Sequence, residues 1–496
     1  MLYCYIVISF PEKMNKKNII FGVLLVIALI VFIKKDFFAE KFDKFINAGQ
    51  SYKEDVLKIV LNEPETDISP YSLDLNNKIR SGNIFEGLVA FDRNLKIVPA
   101  LAVSWGNINP TTWEFKLRKD VHFHDKSDFN SKNVIDSYNN ARDKIQTVLN
   151  TISEIKAVDD YNIRIITKAP DPLLLSKLTK FYIARPGNMG TGPYKIREWL
   201  PGELIDFTAF TDYWGKQPAY RNVQYAIIMN REQRKKDFEN GQTDILVAVP
   251  QDQALELPKK QIKTSYGMEV NFLMFKLDDE LMKNRTVRDK IKTVFDPAQI
   301  ETIGNNFVRQ ASQFVAPGVY GYNSNIPPFQ YDENKRAINL FGDRLEKIKF
   351  DYLSSYRTLS EYIIKQLKDA GFSVKSNPVS AQELIELISG NESQLFLVGW
   401  QAEDGDAQGF LDAFIYSGGE YNGGRYKNSE VDKMIEQSRQ EMDPEKRLTI
   451  LQNIMLKIQN DMIGIPLFES SRLYAVQPDI KWEPRLDGMV LAGEVE

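Results

Sequence analysis

From Ile348 to Trp400 the chain alternates strand and helix patterns in a way that admits few folds. IKFDYLS (Ile348 to Ser354), FSVKSNPV (Phe372 to Val379) and QLFLVGW (Gln394 to Trp400) read as strands, with helices over Thr358 to Ala370 and over AQELIELIS between them. That order predicts an α/β lobe on a parallel, doubly wound sheet. For the first helix, Thr358 with Glu361 predicts a capping box, Leu359, Tyr362, Ile363 and Leu367 an apolar stripe, and Gly371 the stop. Ser429 with Asp432 and the pair Asp443-Pro444 mark two further helix starts. Leu448, Leu451, Ile454, Met455 and Ile458 then fall at helical spacing as core.

The earlier half follows a different period. VLKIVL (Val56 to Leu61) is a short apolar strand, and TWEFKLR and YNIRIIT alternate as half-buried, antiparallel strands. YKIREWL and LIDFTAF repeat that alternation across Pro201-Gly202, which predicts a hairpin. At 496 residues the chain exceeds one ordinary core, so two or more lobes are expected. Its 26% charged and 43% hydrophobic residues describe a packed body, and a net charge of -4 without a basic stripe argues against nucleic acid. A single cysteine, Cys4, provides for neither a disulfide framework nor a thiolate metal cluster.

Ile19 to Ile33 is almost unbroken apolar sequence with Lys13, Lys16 and Lys17 before it and Lys34 and Lys35 after. It is shorter than the roughly 20 residues that span a bilayer comfortably, although flanking lysines snorkel. Cleaved signal and uncleaved anchor are both open; the poor cleavage context around Phe38-Ala39 and the lack of a following cysteine for a lipid favour the anchor.

In an open α/β sheet, ligands bind outside the carboxyl ends of the strands. Two polar clusters fall there: Ser354, Ser355 and Arg357 after the first strand, and Glu403, Asp404 and Asp406 after Trp400. A basic helix start suits a carboxylate and an acidic loop beside an aromatic suits an ammonium, so the pair suggests a zwitterion. Solvated loop charges are the equally available reading.

Several phrases in order carry a resemblance: VPALAVSW, TWEFKLRKDVHFHD, GTGPY, FTDYWGKQPAYRNV and NGGRYKNSEVDKMI. From about Leu61 to Phe468 the chain resembles family 5 of the extracytoplasmic solute-binding proteins, the oligopeptide and dipeptide receptors of ABC importers. The resemblance implies an α/β, two-lobed periplasmic-binding-protein-like fold of the second type with an additional inserted domain. On this sequence it would divide into a cytoplasmic N-terminus (1–18), a membrane anchor or signal segment (19–35) and a tether (36–55). Lobe I would take 56–94 with 190–270 and 467–496, the inserted small domain 95–189, and lobe II 271–466.

The resemblance also implies a site. The aspartate of GWQAEDGDAQGF that matches the family's acceptor of the peptide ammonium is Asp406, followed here by Ala407 where the family more often has proline. Trp400 would line the same pocket or serve as core, with Phe85, Glu86, Gly87 and Leu88 opposite. Asn422 would contact ligand or only shape its turn, and Arg357 is the candidate carboxylate partner on position and charge. The segment between Lys168 and Gly190 is shorter than in relatives.

The implied protein is a monomeric, extracytoplasmic receptor, tethered by its N-terminal segment, that passes peptides to ABC permease subunits without cofactor or catalysis. The alternatives are a membrane-tethered sensing or interaction module, or a receptor for a non-peptide solute such as a nickel complex or haem. A calcium loop over Asp404 to Ile415 lacks the bidentate glutamate at its twelfth position, and His122 with His124 lacks a third ligand. No GxSxG, HExxH or P-loop occurs.

Overall fold

Two strands of unusual length organise the molecule: Ile262–Phe275 with 14 residues and Gly464–Val476 with 13. They pair antiparallel, and their register shifts between Tyr266 and Val270. A bulge at that point bends and twists the ribbon. On one side of it Tyr474 and Val476 pack with Leu57, Ile59 and Ile245, and Leu473 and Ala475 with Val60 and Leu246; on the other, Val270, Phe272 and Met274 pack with Phe314, Phe396 and Phe410. One ribbon therefore contributes to four hydrophobic clusters.

The computed structural model describes residues 56–64, 67–342, 344–390 and 393–496. The expected anchor and tether lie outside them, and among the described residues no helix is long and apolar enough to cross a membrane. Within the described residues a single sheet runs, in spatial order, through Tyr194–Leu200, Leu204–Ala209, Asn222–Ile227, Val56–Leu61, Ile245–Leu246, Gly464–Val476, Ile262–Phe275, Leu395–Gln401, Glu346–Leu353 and Phe372–Val379. The lobe division read at 270/271 and 466/467 falls inside the two long strands.

Around Glu346–Leu353 the sheet is parallel, to Phe372–Val379 on one side and to Leu395–Gln401 on the other, as the strand and helix alternation requires. The crossover helix is Arg357–Asp369, and Gly371, at φ +101°, follows its end. Its start differs from expectation. A short 3-10 turn, Ser354–Tyr356, feeds directly into the helix and no side chain caps it. The capping box occurs instead at Ser380 and Glu383, where Ser380 Oγ accepts the Glu383 N–H and the Glu383 carboxylate accepts the Ser380 N–H. The helix expected from Ser429 is capped one residue earlier, by Asn428, whereas Asp443 caps Pro444–Asn460 as read.

A separate antiparallel sheet orders Ala102–Asn109, Thr112–Leu117, Asn162–Thr167 and Ile152–Asp159. Alternation places Trp113, Phe115 and Leu117 on one face with Ile163 and Ile165, and that core also takes in Leu88, Phe181 and Ile183. Each such side chain contributes about 1.5–3 kcal/mol on burial. The predicted hairpin forms between Tyr194–Leu200 and Leu204–Ala209, with Gly202 at φ +76°.

Candidate ligand-binding site

Two of the phrases that stand apart in the sequence, GTGPY and FTDYWGKQPAYRNV, meet on one carboxylate. Glu86 lies on a two-residue strand paired with Tyr182–Ile183. Its Oε2 accepts from Thr191 Oγ1 at 2.8 Å and from Trp214 Nε1 at 2.8 Å, and its Oε1 accepts from the Tyr213 hydroxyl at 3.0 Å. Arg118 stacks over Trp214, 3.9 Å from the ring centroid. Behind this hub, the GTGPY loop presses on the chain before Glu86: Gly192 N donates to Ile84 O at 2.9 Å, and His124 Nε2 donates to Gly192 O at 3.0 Å. Burial lowers the His124 pKa to about 4 and keeps the ring neutral, while its neighbour His122 pairs with Asp128 instead.

Burial outweighs the three donors and raises Glu86 to about 7. A carboxyl whose folded pKa lies above its ordinary 4.5 binds its proton more tightly in the folded state, so stability falls as pH rises through 4.5 to 7 and the cost is full above 7. Glu86→Gln keeps an acceptor for Thr191 and Trp214 and offers its amide to the Tyr213 oxygen. The variant is expected to match the wild type below pH 4.5 and to exceed it by about 3 kcal/mol at pH 8, read from urea midpoints. A gap that does not change with pH would remove the titration from Glu86.

Glu86 lines a cavity of about 610 Å³. Its wall draws on Lys78, Phe85, Gly87, Phe91, Lys180, Tyr182 and Tyr213 from the first half of the chain, Met268 from the bulge, Gln401 and Glu403 from the end of Leu395–Gln401 and the loop after it, and Arg485, Asp487 and Met489 from the C-terminal segment. Most of its charges are internally matched. Arg485 Nη2 binds Asp487 Oδ2 at 2.7 Å and Nη1 binds Glu494 Oε1 at 2.7 Å. Lys180 Nζ binds Asp404 Oδ1 at 2.5 Å, and Ser176 Oγ donates to Asp404 O, so the helix Leu174–Leu178 and the residues just after it are tied to the loop after Leu395–Gln401. Glu403 stands 4.0 Å from Lys180 with most of its side chain exposed.

The sequence-derived site residues do not all gather here. Phe85, Glu86 and Gly87 line the cavity, but Leu88 is fully buried in the core of the separate four-stranded sheet. Asp406 does not line it. Both its carboxylate oxygens are taken inside the fold: Oδ2 and Oδ1 accept from Arg447 at 2.6 and 3.0 Å, and Oδ1 also accepts the Gln408 N–H at 2.8 Å. Asp406, expected to meet the ammonium, is held in a buried ion pair with Arg447. Trp400 packs edge-on against Phe414, 5.5 Å between ring centroids, and lines no part of the cavity. Asn422 is spent on its own turn, donating to Tyr416 O and Tyr426 O and accepting the Tyr426 N–H. Arg357 is exposed at its helix start, away from the cavity wall. Between Asp404 and Ile415, where the sequence lacks the glutamate of a calcium loop, Asp404, Asp406 and Asp412 pair with Lys180, Arg447 and Arg439 respectively, three cations in three places.

The family model for bacterial extracellular solute-binding proteins, family 5, matches residues 96–422. This chain belongs to that family. Among its relatives, the dipeptide-binding protein of Escherichia coli strain K12 is 21% identical over 78% of this chain and 83% of its own, and heme-binding protein A of Haemophilus influenzae 23% identical over 81% and 84%. A periplasmic murein tripeptide binding protein in its unliganded open form superposes with a TM-score of 0.80 at 16% identity, covering 90% of this chain and 97% of that one. A nickel ABC transporter protein from Bacillus halodurans gives 0.79 at 21% identity, covering 89% and 100%. The fold is the two-lobed α/β fold of periplasmic binding proteins. As a family 5 protein the chain is an extracytoplasmic substrate-binding receptor that serves an ABC permease, and not an enzyme.

Sequence reasoning did not single out Lys78 and Lys180, which line the cavity, and of the acids after Trp400 it favoured Asp406, whereas the one on the cavity wall is Glu403. The loop's composition signals an acidic group at this wall without saying which: in the structure Glu403 is the acid left exposed there.

Proposed function

We propose that this family 5 receptor captures short peptides in the 610 Å³ cavity and hands them to a membrane permease. The observation that carries the reading is an exposed Glu403 carboxylate whose nearest cation, Lys180 at 4.0 Å, is engaged more closely by Asp404 at 2.5 Å, in a cavity whose other acids are paired or hydrogen-bonded. A free ammonium fits that group, and Phe91, Met268 and Met489 supply apolar wall for side chains. The volume suits a small solute, and the dipeptide and murein tripeptide ligands of relatives agree with it. The protein acts as a monomer, and the apolar run Ile19 to Ile33 tethers it to the membrane.

Native mass spectrometry of the purified protein tests the ligand class. Co-purified peptides of two to four residues are expected; a haem or metal complex in their place overturns the peptide reading. Glu403→Gln is expected to weaken peptide binding at least tenfold, about 1.4 kcal/mol, by titration calorimetry. Unchanged affinity would place the ammonium elsewhere.

A further inference from the structure

We propose that Lys78 is the group that receives a ligand carboxylate, so that the receptor selects free acids over neutral ends. This deepens the peptide reading and rests on it. Lys78 sits on the helix Leu75–Ser81 with its side chain in the cavity wall. Among the described residues its ammonium has no ion-pair partner, although Lys180, Arg485 and Lys216 on the same wall each have one. Burial, reinforced by Lys180, lowers it to about 8, against the pull of Glu403, Asp404 and Asp74. A half-buried cation without a counter-ion is costly, and an incoming carboxylate removes that cost.

The helix is also held as a fixed platform. Asp74 caps it, accepting from Asn77 N at 2.9 Å, and Arg80 donates to Asn76 O and Glu63 O. Gly82 lies so close to Met489 and Leu491 that a Cβ there would meet Met489 Cε at 2.7 Å, and Asn83 Oδ1 accepts the Ala492 N–H at 2.8 Å. With Lys78 anchored and Glu403 on the same wall, the cavity presents one unmatched cation and one exposed anion, the complement of a zwitterion.

The test uses calorimetric titration with di- and trialanine, their C-terminal amides, and glutarate as a carboxylate without an ammonium, on the wild type, Lys78→Gln and Lys78→Arg. Thermal melting checks that the variants fold. Free peptides are expected to bind at least tenfold more tightly than their amides, with the difference lost in Lys78→Gln and retained in Lys78→Arg. Equal binding of acid and amide, or a preference that survives Lys78→Gln, overturns the role of Lys78 and leaves the peptide reading standing. Glutarate binding that requires Lys78, with no peptide bound, keeps the anion site and overturns the peptide reading. Failure of every probe overturns both.

Discussion

Asp406→Ala is expected to lower the free energy of unfolding by about 3–5 kcal/mol, because it leaves Arg447 buried without its counter-charge. Asp406 and Arg447 are 7% and 4% exposed at their side chains, and two hydrogen bonds of 2.6 and 3.0 Å join them. Arg447 also donates from Nε to Ser438 O and lies over the Tyr320 ring. The pair thus fastens the loop after Leu395–Gln401 to the helix Pro444–Asn460, and that loop carries Glu403 and Asp404. Arg447→Met alone is expected to be comparably harmful, since it strands the carboxylate. The double variant is expected to recover much of the loss, as apolar replacement of a whole buried pair often does. Urea denaturation of the four proteins closes the cycle. If Asp406→Ala melted like the wild type but lost peptide affinity more than tenfold, the ammonium site would return to Asp406.

The burial of Asp406 beside Arg447 shows where sequence reading reaches its limit. The loop holds Glu403, Asp404 and Asp406 within four positions, and their chemistry is nearly interchangeable. What separates them is local and distant at once. Gly405, at φ +64°, turns the chain with its N–H on Ala402 O, and the partner that claims Asp406 lies 41 positions away on another helix. No periodicity records such a pairing.

Lys78 is hidden for a related reason. On a short polar helix a lysine reads as a solvated charge, and only the approach of Lys180, Glu403 and Met489 from three other segments makes it part of a wall. By contrast, the strands and helices from Glu346 to Gln401 were legible to within a few residues, because hydrophobic period is a property of neighbours along the chain. Capping was less so: Ser380 with Glu383 forms the box that Thr358 with Glu361 does not, since the turn at Ser354–Tyr356 already delivers the chain in helical geometry.

Gly190→Ala is expected to cost about 3 kcal/mol or more and to weaken ligand binding with it. A Cβ at Gly190 would lie 1.9 Å from Ile84 O and 2.8 Å from Phe85 Cδ1, and the first of these is backbone that cannot rotate away. Relief requires the GTGPY loop to back off from Ile84, which loosens the Gly192 N–H to Ile84 O bond and draws Thr191 away from Glu86. Overpacking of 1–3 kcal/mol and a lost hydrogen bond of about 1 kcal/mol then add. Phe85 and Glu86 both line the cavity, so the same displacement distorts the ligand's wall. Gly106→Ala serves as the matched control: nothing lies within 4 Å of a Cβ there, and a change within about 0.5 kcal/mol is expected. Denaturant midpoints for both variants decide the matter. If Gly190→Ala were as mild as Gly106→Ala, the glycine would not be held by contact with Ile84, and the GTGPY loop would owe its place to the Glu86 hub alone.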